Sequence, residues 1–391
     1  MYLLIIAIIF LTFIGLGSAD ALFGSAWPTI QTGMEVPLSY AGIVAMTITI
    51  GAITASLLSA RLLKRFGAGP VATGGILLSS FTLLGFSFSH YFWMLCVLAF
   101  PLGFAGGTID ASLNSYVAKN YTSKHMNWLH CFWGLGAVVS PSIMGFALRS
   151  GAGWNTGYRI AFFIQLTIAL ILLASQPLWK KQKNSASVKQ SPSSALKLSQ
   201  VIRIKGVKYL VVTFFSYVAL EATAGLWAST FLVNERGVNI EIAAGFAALF
   251  FIGITLGRFI SGFISEKIGD KHMVRYGAAI VFVGIFAIWL PIDSNLAVLG
   301  GLIITGLGCA PIFPAVIHST PKNFGNEHSQ SIIGVQLASA YTGAALMPPL
   351  FGLIANHISV GLYPLFLLTM AVLMIFATEK LNITVAKPRN S

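Results

Sequence analysis

The fold is decided by the stretch GFAGGTIDASLNSYVAKNY, residues 103–121, which recurs about 200 residues later as GLGCAPIFPAVIHSTPKNF, residues 306–324. Both copies are apolar and glycine-rich, and both end in Lys-Asn followed by an aromatic residue. Three further matches keep the same order along the chain: 20–24 with 221–225, 65–67 with 267–269, and 136–141 with 343–348. Four ordered matches are not expected of sequence that is merely hydrophobic, so we infer that the chain consists of two homologous halves.

The composition excludes a water-soluble protein. Of 391 residues, 56% are hydrophobic and 9% are charged, whereas soluble domains carry about 25% charged residues. We therefore exclude a soluble enzyme, a nucleic-acid-binding protein and a disordered chain. The three cysteines, Cys96, Cys131 and Cys309, lie in apolar stretches without redox or metal-binding spacing, which argues against a disulfide framework. No nucleotide-binding loop is present, so we expect no cofactor, no metal, no enzymatic activity and no ATP-driven transport by this chain alone.

Apolar segments of about 20 residues can cross a bilayer as helices. The chain contains twelve such segments, which we number spans 1 to 12 and place at 3–27, 39–60, 69–89, 91–117, 127–148, 157–178, 208–233, 241–264, 273–292, 295–320, 330–356 and 360–378. Residues 1–9 contain no Lys or Arg, so we interpret the first segment as a span and not as a cleaved signal peptide. The sequence thus predicts an all-α, multi-pass protein of a bacterial cytoplasmic membrane.

The basic residues predict the orientation in the membrane. With twelve spans, nearly all Lys and Arg fall on one side, and the other side, here called the low-charge end, has only Arg149, Arg159 and Arg236 among its basic residues. Positive charge marks the cytoplasmic side, so both termini are predicted to be cytoplasmic. The net charge of +13 is explained by this asymmetry and requires no nucleic-acid partner.

A polar stretch divides the spans into two sets of six. Residues 179–206, WKKQKNSASVKQSPSSALKLSQVIRIKG, have the Ser/Lys/Gln composition of a solvated linker, with a short amphipathic helix expected near 195–204. We therefore predict a six-helix bundle over 1–178, a cytoplasmic linker over 179–206, and a second six-helix bundle over 207–391 with a short cytoplasmic tail.

Three acidic residues lie well inside apolar spans: Asp20, Asp110 and Glu221. An ionised carboxylate at the centre of a membrane helix costs at least about 2.5–3.5 kcal/mol, and such residues commonly mark ion or proton pathways. Asp20 and Glu221 occupy matching positions of the two halves, so we expect them to face one central cavity. We predict that all three couple transport to protons, although a carboxylate held by a neighbouring donor would serve a structural role.

Amides, a histidine and aromatic rings accompany these acids. Asp110 and Asn114 are four residues apart and share a helix face. Asn127 and His130 share a face at the start of span 5, where His130 either assists proton transfer or forms a simple hydrogen bond in the core. Amides beside flat rings suit a sugar, and the predicted substrate-binding residues are Asn114, Asn127, Trp27, Trp133, Trp227, Gln336 and Tyr341.

Arg258 is the only arginine deep in a predicted span. We expect a structural or gating role for it, paired with an acid of the cytoplasmic loops; the alternative is binding of an anionic substrate. The loop after span 8 contains Glu266, Lys267 and Asp270 between Gly262 and Lys271, and we predict that these three residues contribute to gating.

Two parallel halves of six spans, together with this loop pattern of glycine, acid, base and glycine, resemble the major facilitator superfamily. Within it, residues 106–141, with Asp110, Asn114, Asn127, His130 and Trp133, resemble the fucose permease-like branch of sugar symporters. The resemblance implies that acids in spans 1 and 4 bind protons and sugar, which places Asp20 and Asp110 in those roles, and that Asn114 and Asn127 contact the sugar. Span 4 departs from the permease pattern by having Asp for Glu and Ser115 after Asn114, and His130 is closer to the sodium-glucose-like members.

We therefore expect a monomeric secondary transporter that takes up a small neutral sugar or polyol by alternating access, coupled to protons or sodium. Proton-driven efflux of a drug or metabolite is the alternative, and a membrane sensor that binds a solute without moving it is a third class.

Overall fold

The computed structural model describes residues 2–121, 123–180, 198–292 and 295–386, and within these ranges every regular element is a helix. The helices are α1 Tyr2–Met34, α2 Tyr40–Phe66, α3 Ala68–Ser87, α4 Phe92–Asn120, α5 Ser123–Arg149, α6 Gly153–Ala174, α7 Gln176–Lys180, α8 Leu198–Arg203, α9 Val207–Asn234, α10 Ile240–Phe246, α11 Ala248–Ile268, α12 Asp270–Trp289, α13 Asn295–Cys309, α14 Ile312–Phe324, α15 Asn326–His357 and α16 Tyr363–Ala386, with a short 3₁₀ turn at Val360–Leu362.

The described residues contain twelve segments that are long and apolar enough to cross a membrane, which confirms the predicted number. Helices α1 to α6 form spans 1 to 6, and α9 forms span 7. Span 8 consists of α10 and α11, and span 10 consists of α13 and α14. Helices α12, α15 and α16 form spans 9, 11 and 12. The short helix α8 confirms the helix expected near 195–204, while residues 181–197 of the predicted linker lie outside the described residues.

Proline explains two departures from the predicted boundaries. Span 1 was expected to end at residue 27, but α1 continues through Pro28 to Met34, because a membrane helix tolerates a proline where neighbouring groups satisfy the freed carbonyl. Span 10 was expected to be continuous, but it is interrupted between Cys309 and Ile312. Pro311 lacks the N–H that a continuous helix requires, and its ring clashes with the preceding turn.

The structure confirms the internal repeat through equivalent contacts between helix backbones. A Cβ atom added at Gly136 of span 5 would overlap the carbonyl oxygen of Ile14 in span 1, and one added at Gly343 of span 11 would overlap that of Phe215 in span 7. These contacts occupy matching positions of the two halves. Small residues allow membrane helices to approach this closely, and packing is then the main attraction between them.

The chain forms two compact units. Unit 1 comprises Met1–Ser187, Gly225–Ile252 and Pro349–Gly361. Its core is built around fully buried Phe13, Ile76 and Leu113, and the buried amide of Gln165 ties span 6 to span 1 by donating to the Gly15 carbonyl at 2.9 Å. Unit 1 therefore contains parts of spans 7, 8 and 11 of the second half, so its limits do not coincide with those of the repeat. The division into two six-span bundles stays a prediction.

Unit 2 comprises Val188–Ala224, Gly253–Pro348 and Leu362–Ser391. Two hydrogen bonds between spans 7 and 12 help to hold it together. The Tyr363 hydroxyl donates to the Ala224 carbonyl at 2.9 Å, and the hydroxyls of Thr213 and Thr378 lie 3.3 Å apart.

The contact at Gly136 provides a test of this packing. We expect Gly136→Leu to destabilise the protein by about 1–3 kcal/mol, because overpacking forces backbone shifts, and to lower its thermal unfolding temperature in detergent. Gly74→Leu is the matched control, since a Cβ atom at Gly74 meets nothing within 4 Å. Equal unfolding temperatures for the two variants would contradict this account of the span 1–span 5 contact.

Candidate functional site

Spans 1 and 5 together position the carboxylate of Asp20. A Cβ atom at Gly17 would overlap the Trp133 carbonyl oxygen, so the two backbones are in direct contact one turn before Asp20. This contact brings the indole over the carboxylate, and Trp133 Nε1 donates a hydrogen bond to Asp20 Oδ2 at 2.9 Å. The Asp20 side chain is exposed at the surface of the unit, so it is accessible to a ligand while one of its oxygens is held.

Asp110 and Asn114 form a second pair in span 4, as their four-residue spacing predicts. Asn114 Nδ2 donates to Asp110 Oδ1 at 2.8 Å, and both side chains are half-buried. Asp20 and Asp110 belong to the same unit and lie within electrostatic range of one another. Neither acid has an ion-pair partner among the described residues. Within the described part of the chain, these two carboxylates are therefore held by neutral donors, and no cation is paired with either of them.

The start of span 5 is only partly described. The His130 ring is half-buried and meets the edge of Phe13, with ring centroids 6.0 Å apart. Asn127 belongs to the same helix, but its side chain lies outside the part of the chain that the structure describes. The predicted roles of both residues stay predictions.

Trp27 and Trp227 are fully buried in this structure. Trp27 Nε1 donates to the Leu38 carbonyl at 3.2 Å, and the Trp227 ring packs edge-on against Phe351 with centroids 5.4 Å apart. Both rings thus fill the interior of unit 1, and a ligand would reach them only after this packing opens.

Glu221 and Arg258 meet inside unit 2. Arg258 Nη2 lies 3.8 Å from Glu221 Oε1, and their side chains are 15% and 18% exposed. Tyr217, one turn before Glu221, and Cys309, at the interruption of span 10, both interact electrostatically with this pair. We expected Arg258 to pair with an acid of the cytoplasmic loops. That expectation is corrected, because the carboxylate it meets is the one at membrane depth in span 7.

Sequence reasoning missed Tyr217 and Cys309 as members of this cluster. The spacing of Tyr217 and Glu221, four residues apart in a helix, is a signal that identifies the tyrosine. No comparable signal exists for Cys309, whose place depends on where span 10 is interrupted.

Span 11 contributes the other predicted substrate-binding side chains. Gln336 is fully buried, and its Oε1 accepts a hydrogen bond from the Thr320 hydroxyl at 3.1 Å. Its Nε2 has no hydrogen-bond partner among the described residues. Tyr341 is half-buried in the same span. Thr320 was not among the residues predicted from the sequence, because its contact with Gln336 arises from the packing of spans 10 and 11.

The loop after span 8 was predicted to contribute to gating. The Glu266 side chain lies outside the described part of the chain, and Lys267 is exposed. Asp270 Oδ2 lies 2.9 Å from His318 Nδ1 of span 10. In the same helix as Asp270, Arg275 forms a bidentate ion pair with Glu379, with nitrogen–oxygen distances of 2.7 and 2.6 Å. Polar contacts therefore link the ends of spans 9, 10 and 12.

Twelve apolar spans in an all-helical fold define, for the part of the chain that the structure describes, a multi-pass membrane protein. The model of the Major Facilitator Superfamily matches residues 8–249 and 209–386. The chain belongs to this superfamily.

Individual relatives are distant. The glucose/mannose transporter GlcP of Bacillus subtilis is 22% identical over 340 residues, covering 85% of this chain and 84% of that protein. The class B tetracycline resistance protein of Escherichia coli is 24% identical over 306 residues, covering 75% and 73%. The crystal structure of a bacterial homologue of the human lysosomal transporter Spinster has a TM-score of 0.74 at 14% identity, covering 98% and 96%, which shows a shared fold.

The ion pair in unit 2 generates a second prediction. Arg258→Gln leaves Glu221 without its cation, and we expect a loss of stability below the about 3–5 kcal/mol of a fully buried pair, because both side chains are partly exposed. The double variant Glu221→Gln/Arg258→Gln is expected to recover most of that loss. Thermal unfolding of the purified proteins measures both effects. A double variant no more stable than Arg258→Gln would show that the two charges do not compensate each other.

Proposed function

We propose that the protein is a secondary active transporter that moves a small neutral sugar or polyol together with protons by alternating access. The observation that carries this proposal is the pairing of Asp20 with Trp133 and of Asp110 with Asn114 in one unit, with no compensating cation among the described residues.

The contrast with Glu221 supports the choice of proton-binding groups. Glu221 has Arg258 beside it, so its negative charge is balanced in place. Among the described residues, Asp20 and Asp110 accept hydrogen bonds from neutral donors and have no ion-pair partner, and an uncompensated carboxylate at membrane depth is costly. Protonation removes that cost and favours movement of the loaded protein between its two states. We therefore assign proton coupling to Asp20 and Asp110, with His130 as a candidate relay, and assign charge balance to the Glu221–Arg258 pair.

The neighbouring groups support a polyhydroxylated substrate. Carboxylate and amide oxygens accept hydrogen bonds from hydroxyl groups, the amide N–H groups donate them, and an indole offers a flat surface to the C–H face of a sugar ring. Asp110 with Asn114 and Asp20 with Trp133 supply this combination, to which we add Asn127 and, in unit 2, Gln336 and Tyr341. The similarity to a glucose/mannose transporter agrees with the proposal.

The proton-coupling role makes a direct prediction. In proteoliposomes with an imposed pH gradient, we expect Asp20→Asn and Asp110→Asn each to reduce sugar accumulation at least tenfold, because neither amide can bind and release the coupled proton. Counterflow of labelled sugar, which needs no net proton movement, should be retained by at least one of the two variants. Glu35→Gln is the matched control, since Glu35 is an exposed acid between spans 1 and 2. Unchanged accumulation in both variants would refute the role of these acids.

The amide of Asn114 is expected to affect substrate affinity. Asn114→Leu removes the donor to Asp110 and a hydrogen-bonding partner for a hydroxyl group, and leaving a polar partner unpaired costs about 1–3 kcal/mol. The KM for sugar should therefore rise about 5- to 150-fold in initial-rate uptake measurements. An unchanged KM would remove Asn114 from the substrate-binding residues.

Two alternatives remain open to experiment. Proton-driven efflux is supported by the similarity to a tetracycline resistance protein, and sodium could replace the proton as coupling ion. An uptake screen over neutral sugars and polyols, with an imposed pH gradient in one arm and a sodium gradient in the other, distinguishes these possibilities. Accumulation in the pH arm supports our proposal, accumulation only in the sodium arm corrects the ion, and absence of accumulation and of counterflow contradicts sugar transport.

A further inference from the structure

A polar cavity lies at the low-charge end of unit 1, and neither Asp20 nor Asp110 lines it. It has a volume of about 450 Å³ and lies where the ends of spans 1, 3 and 6 meet. Its polar lining includes Ser87, Ser89, His90, Thr156 and Arg159. This volume falls within the range of small-molecule sites, and none of these residues contributes to the transport site proposed above.

Arg159 sets the charge of this cavity. Its guanidinium lies over the Phe88 ring, 5.4 Å from the centroid, and it has no ion-pair partner among the described residues. No carboxylate belongs to the described lining either. The positively charged Arg159 guanidinium packs against an aromatic ring and has no ion-pair partner among the described residues, so it favours an anionic ligand. A guanidinium group matches phosphate oxygens in geometry as well as in charge.

The lining is held in place by internal hydrogen bonds. Asn155 Nδ2 donates to the Ser87 carbonyl at 2.9 Å, which ties the end of span 3 to the start of span 6. The hydroxyls of Ser87, Ser89 and Thr156 already donate to backbone carbonyls of their own segments. The remaining donors are the Arg159 guanidinium, the Trp154 indole and the His90 ring, and together they suit an acceptor group such as phosphate.

The surroundings place the cavity at the depth of lipid headgroups. Tyr91 and Trp93, directly after the lining segment, are 65% and 63% exposed and stand at the start of span 4. Exposed aromatic residues at a span end mark the membrane–water interface. We propose that this cavity binds the phosphate group of an anionic phospholipid through Arg159; a soluble phosphate ester shares this chemistry.

The test measures binding to the full-length protein in detergent. Native mass spectrometry with phosphatidylglycerol should give a dissociation constant at least tenfold weaker for Arg159→Gln than for the unmodified protein. Arg159→Lys should be intermediate, because it keeps the charge and loses the planar fork. Arg149→Gln is the matched control: it removes another exposed arginine of the same end that does not line the cavity, and it should bind like the unmodified protein.

Two further arms identify the source of the ligand and guard against misfolding. Glycerol 1-phosphate, which has no lipid tail, is tested on the same variants. If its binding depends on Arg159 and phosphatidylglycerol does not bind, the ligand is a soluble phosphate ester and the proposal of a lipid is wrong. Trp154→Phe keeps the ring and removes the indole N–H, so it should weaken binding several-fold even if Arg159→Gln fails to fold. Equal phosphatidylglycerol binding by all folded variants, or no binding of either ligand, would overturn the proposal.

Discussion

The site in unit 1 depends on the direct contact between the backbones of spans 1 and 5. Gly17 and Gly136 leave no room for a side chain at the crossing, so the helices approach closely enough for the Trp133 indole to reach Asp20. A larger residue at either glycine would separate the helices and remove that hydrogen bond. In a bilayer, packing of this kind replaces the hydrophobic effect as the main attraction between helices. The contact that packs spans 1 and 5 together therefore also sets the geometry of the candidate site.

The second half repeats this contact but carries different chemistry. Gly343 meets Phe215 as Gly136 meets Ile14, yet Glu221, at the position matching Asp20, lies beside Arg258. Among the described residues, Asp20 and Asp110 of the first half thus have no cation paired with them, whereas Glu221 of the second half is paired with Arg258. Such a division suits a transporter in which one half binds the coupling proton, because only an uncompensated acid gains much from protonation in a medium of low dielectric constant.

The sequence was sufficient to predict the number of spans, the repeat and the Asp110–Asn114 pair, because these follow from hydrophobic length and helical periodicity. It could not show that span 10 is interrupted at Pro311 while span 1 continues through Pro28, because neighbouring groups decide whether a membrane helix tolerates a proline. Nor could it identify Glu221 as the partner of Arg258, because the two residues lie in different helices. The burial of Trp27 and Trp227 was not predictable either. Both were predicted to bind substrate, but the surroundings of each ring are set by tertiary packing.

The central claim is that sugar and proton move together, and the pH inside proteoliposomes measures this directly. A pH-sensitive dye is enclosed in vesicles that contain the protein, with no imposed gradient, and a transported sugar is added outside. Symport predicts acidification of the lumen that is absent with Asp20→Asn. Alkalinisation would show antiport, and sugar entry without any pH change would contradict proton coupling.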